Sequence, residues 1–168
     1  MSAYLDDKTT TSEYHVVMVK RAATPVRFDT EVADRLASYV RTRPGWSLSS
    51  ATNRLVDEGL RMSEHPGVAF RDGPTGRRAG LVTGPDVWEI VRALRSAREA
   101  EPDLDETALV DLVATNTGTP VRLVRIAVRY WAAYPEEIEA EITAATHVEH
   151  DAELAWHREH DLLGRRGA

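Results

Sequence analysis

Between Thr24 and Met62 the apolar positions first alternate and then recur at helical spacing. Val26 and Phe28 alternate with Pro25 and Arg27, the period of a short strand with one row turned inward. Asp29 stands where a helix cap belongs, and Val32, Leu36, Tyr39 and Val40 keep three- and four-residue steps until Pro44-Gly45 ends the pattern. Ser47 caps a second helix whose stripe is Leu48, Ala51, Leu55, Val56 and Leu60. A strand and two half-apolar helices, about 40 residues, bury too little surface to close a core alone. Pairing two copies of the strand antiparallel would satisfy its edge and let four helices share one core, so a homodimer is expected.

Beyond Met62 the pattern changes. Val68 to Arg71 and Arg78 to Val82 form two arms around the turn Gly73-Pro74-Thr75-Gly76, the mark of a hairpin. Asp86 caps a helix carrying Val87, Trp88, Ile90, Val91 and Leu94, and the charged linker EAEPDLDE leads to another with Leu109, Val110, Leu112 and Val113. Asn116-Thr117-Gly118 breaks that helix and Thr119-Pro120 starts the most apolar one in the chain, so the pair from Glu106 to Tyr134 reads as a helix-turn-helix. From Pro135 a long helix repeats Ile138, Ile142, Ala145, Ala152 and Trp156 on one face. The expected class is mainly α. The expected units are an N-terminal extension (1–22), a strand–helix–helix unit (23–63), a β-hairpin with a helix-turn-helix-like unit (64–134) and an acidic helical tail (135–168). Within the extension, the apolar run from Tyr14 to Val19 could add to the ribbon, and the polar start is expected to be disordered.

Composition narrows the function classes. With no cysteine among 168 residues there is no disulfide framework or thiol chemistry. No apolar run approaches 18 residues and no signal-peptide core opens the chain, so a cytoplasmic protein away from membranes is expected. The net charge of -6 is unevenly placed. Eight basic and five acidic residues lie between Lys20 and Arg61, whereas nine acidic residues face only Arg158 between Glu136 and Asp161. One end could therefore approach DNA that the other would repel.

The residues VRFDTEVADRL followed by GWSLSSATNRLVDEGL resemble the ribbon-helix-helix family of the Arc and CopG type. The resemblance implies an intertwined dimer whose two-stranded ribbon lies in the major groove of double-stranded DNA. On this chain it places Lys20, Arg21, Pro25 and Arg27 on the ribbon, and Ser47, Ser49 and Asn53 at the start of the second helix, where free N–H groups suit a phosphate. Further on, HPGVAFRDGPTGRRAGL, GPDVWEIV and RYWAAYPEEIEAEI resemble a small helix-turn-helix-like family found in VapB-type antitoxins of bacterial toxin–antitoxin pairs, over roughly residues 64 to 142. The linker EAEPDLDE and the turn ATNTGT depart from that family's pattern. What this second resemblance implies is a partner toxin of PIN-type ribonuclease fold, met by the tail residues Ile142, Trp156, Leu162, Arg165 and Arg166, the arginines pairing with its carboxylates.

Other motifs carry less. Arg122, Arg125 and Arg129 make one basic stripe that could touch DNA a second time, although amphipathic helices ordinarily turn such charges to solvent, and the stripe could equally receive the acidic tail. HVEHD and HREHD repeat ten residues apart, but their histidine spacing matches no standard zinc signature, so neither metal nor cofactor is expected. The Gly-rich turn lacks the Lys-Ser/Thr of a phosphate loop. No nucleophile, base and orienting group fall together, which argues against an enzyme. Two classes remain: an antitoxin that represses its own operator and neutralises a ribonuclease, or a stand-alone regulator using both DNA-binding-like modules. The neighbouring gene separates them.

Overall fold

The computed structural model describes residues 25–73 and 76–164. The run from Tyr14 to Val19, Lys20, Arg21, the turn residues Pro74 and Thr75, Arg165 and Arg166 lie outside the described residues. The chain is mainly helical, with six helices and one two-stranded antiparallel sheet among the described residues.

Helix α1 runs over Thr30–Arg41 and α2 over Leu48–Glu64. Asp29 occupies the cap position of α1 in an extended conformation, but its side chain makes no capping bond. Ser47 closes a reciprocal box with Ser50: the Ser50 N–H donates to Ser47 Oγ at 3.0 Å and the Ser47 N–H to Ser50 Oγ at 2.9 Å. Pro25 to Asp29 form no strand in the single chain, contrary to the alternation of Val26 and Phe28. A strand needs a hydrogen-bonding neighbour, and none of the described residues offers one there. α1 likewise buries no residue.

The strands β1 (Val68–Gly73) and β2 (Gly76–Leu81) pair in register from Val68 opposite Leu81 to Gly73 opposite Gly76, the expected hairpin. Four helices come next: α3 (Val87–Ala100), α4 (Glu106–Thr117), α5 (Val121–Ala133) and α6 (Pro135–Gly164). Asp105 caps α4 by accepting the Ala108 N–H at 2.8 Å, and Gly118 ends it at φ 64°, a left-handed conformation that favours glycine. The core lies between the hairpin and these helices, with Leu81, Ile90, Leu123, Val124, Tyr130 and Ile138 fully buried.

Two features of this core differ from the expected units. Ile138, in the first turn of α6, belongs to the same core as α3 to α5, and Ile142 is half-buried against it, so the packed unit crosses the expected boundary at 134/135. The α1–α2 unit is also tied to the hairpin and to α5 and α6. Arg77 of β2 forms a 2.8 Å ion pair with Glu58, itself 6% exposed, and Arg43 reaches Asp72 at 3.1 Å. Arg61 of α2 donates to Glu137 of α6 at 2.5 Å and to Tyr130 of α5 at 3.1 Å, and lies over the Tyr134 ring at 4.2 Å. Burial alone would lower its pKa; the bonds to Glu137 and Tyr130 outweigh it and raise it.

Candidate nucleic-acid interface

Because α1 and α2 are amphipathic and nothing among the described residues covers their inner faces, Phe28, Val32, Leu36, Leu55 and Val56 line an open cleft of about 340 Å³. Val26 is 61% exposed and Phe28 42%, large apolar surfaces left to water. Pro25 and Arg27 are exposed beside them. Ser49 and Asn53 stand exposed one turn apart on α2, while the Ser47 hydroxyl is committed to the capping box. The turn between the helices adds groups that residue spacing did not single out. Arg54 lies over the Trp46 ring at 4.5 Å and Arg43 over Tyr39 at 3.6 Å, and both border a polar hollow of about 480 Å³ with Asp72 and Arg77. The charge asymmetry counted these arginines without locating them.

The basic stripe on α5 is split. Arg125 is paired with Glu106 of α4 at 2.8 Å, whereas Arg122 and Arg129 are exposed with no ion pair among the described residues. The acidic helix does not land on this stripe. Its carboxylates reach α3 instead, Glu149 to Arg92 at 2.6 Å and Glu139 to Arg95, with the Trp131 indole N–H donating to Glu139 at 2.9 Å. The Arg95 guanidinium and the Trp131 donor hold the Glu139 carboxyl down at about 2.

Between α3, α4 and α5 opens a groove of about 740 Å³ floored by Val91, Leu94, Leu109, Val110, Val128 and Trp131. Arg95, Arg98, Arg125 and Arg129 stand around it with Glu99 and Glu106. No local pattern in the sequence announces this groove, because its walls come from three helices.

α6 has two halves. Its first turns pack into the core, but every residue from Thr146 to Gly164 is exposed, including Val148, Trp156 and Leu162 of its apolar residues. Trp156 and Leu162 are therefore open to a partner, while Ile142 is already packed against this chain's own core. His160 Nδ1 sits 2.9 Å from the Trp156 carbonyl oxygen and His157 is 3.9 Å from Glu153. Among the described residues no group of three or more His, Cys, Asp or Glu is placed to hold a metal ion, and no helix is long and apolar enough to cross a membrane.

One carboxyl in the packed half stands apart. Glu141 Oε2 is buried without a hydrogen-bond partner. Burial pushes its carboxyl up to about 7, with Glu137 and Asp86 adding to the rise and Arg78 opposing it. A carboxyl that binds its proton more tightly in the folded state stabilises the fold at low pH, and that contribution is lost as pH rises from the unfolded value through about 7. Glu141→Gln should therefore raise the urea midpoint at about pH 8 and leave it nearly unchanged at about pH 4. Equal midpoint gains at both pH values would show that Glu141 is solvated.

Comparison with family models, with curated proteins and with solved structures returns no match for this chain.

Proposed function

We propose that the chain is a sequence-specific DNA-binding dimer that serves as antitoxin and autorepressor of a toxin–antitoxin pair, its C-terminal helix neutralising a PIN-type ribonuclease. The observation that carries the DNA-binding half is the uncovered apolar face of α1 and α2, around Phe28, Val32 and Val56. A second copy laid across it would cover those side chains, and would supply the neighbour that Pro25 to Phe28 need to become a ribbon. Arg27 and Pro25 then face outward, and the α2 starts at Ser49 and Asn53 flank them at phosphate positions. The antitoxin half rests on the resemblance over residues 64 to 142 and on α6, whose exposed half keeps Trp156 and Leu162 uncovered.

Gel-shift titration on the DNA upstream of the gene tests the first half. Arg27→Ala should weaken binding without unfolding, since a good base contact is worth about 1–3 kcal/mol and a dimer loses two. The logarithm of affinity should fall with the logarithm of salt concentration by roughly 0.9 per phosphate contact. Unchanged affinity for Arg27→Ala with a flat salt dependence would remove α1–α2 from DNA. For the second half, a chain ended after His150 keeps Ile138 and Ile142 in place; it should bind the operator normally and fail to protect cells that co-express the neighbouring gene. Protection by the shortened chain would move the neutralising element elsewhere.

The stand-alone regulator is favoured by one observation, the exposure of Arg122 and Arg129 on α5 just after the α4–α5 turn. In that reading Arg122→Ala lowers operator affinity; in the antitoxin reading it does not.

A further inference from the structure

We propose that the exposed half of α6 docks in the groove between α3, α4 and α5 of a second copy of this chain, each copy exchanging its helix for the other's. The inference concerns the free protein and does not depend on the DNA or toxin readings. Two uncovered surfaces of the same chain carry complementary chemistry. On α6 the stripe that buries Ile138 continues along the helix as Val148, Ala152, Trp156 and Leu163 at three- and four-residue steps or their multiples, and here it is exposed. Between Glu149 and Asp161 five acidic residues flank this stripe, with Arg158 as the one arginine or lysine. The groove is the converse, an apolar floor of about 740 Å³ with four arginines and two glutamates around it. Arg129 there has no ion pair among the described residues, so an incoming carboxylate meets an available guanidinium.

The exposed half of the helix does not enter the groove of its own chain. Glu139 and Glu149 hold α6 along α3 through Arg95 and Arg92. From Glu149 the unbroken helix runs on to Gly164, and at about 1.5 Å per residue it carries Trp156 roughly 10 Å and Leu163 roughly 21 Å further out. A second copy offers the same groove to the same helix, so a two-fold exchange satisfies both chains at once and closes the assembly. Trp156 supplies the large ring that anchors such contacts and the arginines around the groove supply the register.

The absence of cysteine makes the test direct. Arg98→Cys at the groove and Glu153→Cys on the helix are made in separate full-length chains, both carrying Val32→Glu so that the α1–α2 face does not itself bring copies together. Mixed and treated with a short bismaleimide, they should give a cross-linked product containing one of each. Adding Trp156→Glu to the Glu153→Cys chain should cut that yield at least tenfold, while the exposed position leaves the fold intact by circular dichroism. No mixed product, or a yield indifferent to Trp156→Glu, would overturn the proposal. So would saturable binding of dodecanoate to the full-length chain without any mixed product, which would assign the groove to a small amphipathic anion.

Discussion

Val32→Glu will leave the protein folded and break the proposed pairing of α1–α2 units between copies, with operator affinity lower by roughly 100-fold or more, given that specific sites are bound about 10³–10⁷ times more tightly than non-specific DNA. Val32 borders the cleft that Phe28, Leu36 and Val56 also line, and α1 buries no residue, so the substitution disturbs nothing inside the chain. Across a two-fold interface the same change places two carboxylates in apolar surroundings, at an effective cost of several kcal/mol for each ion. In the proposed arrangement each strand is the other's hydrogen-bonding neighbour, so the ribbon would be lost with the pairing, and an unpaired α1–α2 unit would retain only half of the base and phosphate contacts. Sedimentation equilibrium on the chain ended after His150, which lacks the exchanging half of α6, reads the mass, and gel shift reads the affinity. A Val32→Glu protein that remains dimeric through α1–α2 would rule out the ribbon-helix-helix arrangement.

Asp86→Ala should destabilise the fold by about 3–5 kcal/mol, the usual cost of removing one partner from a buried ion pair. Asp86 is 2% exposed. Its Oδ1 accepts from Arg71 Nε at 2.7 Å, its Oδ2 accepts from Arg78, and its own N–H donates to Glu89 in the first turn of α3. One carboxylate thus joins both strands of the hairpin to the start of the helix behind them. Removing it leaves the half-buried Arg78 without this partner and takes the anchor from the N-terminus of α3. Asp86→Asn retains one acceptor oxygen and should fall between wild type and alanine. Arg71→Ala should cost less than Asp86→Ala, because the Arg71 side chain is 44% exposed and Arg78 still neutralises the carboxylate. Urea denaturation followed by circular dichroism measures all three. A loss below about 1 kcal/mol for Asp86→Ala would show the network to be no stronger than a surface pair.

The sequence by itself determined the elements whose causes are local. Ser47 marks a helix start because its side chain accepts the N–H group three residues on, and Gly118 marks an end because a left-handed residue suits glycine. The hairpin arms and the four helices after them arise from periodicities that depend only on neighbouring residues. Where a partner lies far along the chain, local pattern is silent. It showed that α6 is acidic on one side, but not that Glu139 and Glu149 would meet Arg95 and Arg92 of α3 rather than the arginines of α5. It marked Ile142 as apolar, but only packing assigned it to this chain's own core, and only the same packing enclosed Glu141 and pushed its carboxyl up. The alternation at Val26 and Phe28 is a further case, since a strand exists only with a neighbour to bond and the single chain leaves those residues outside any strand and exposed. Periodicity records which side of an element is apolar; which surface covers it is decided by the meeting of distant elements, as in the groove that α3, α4 and α5 build together.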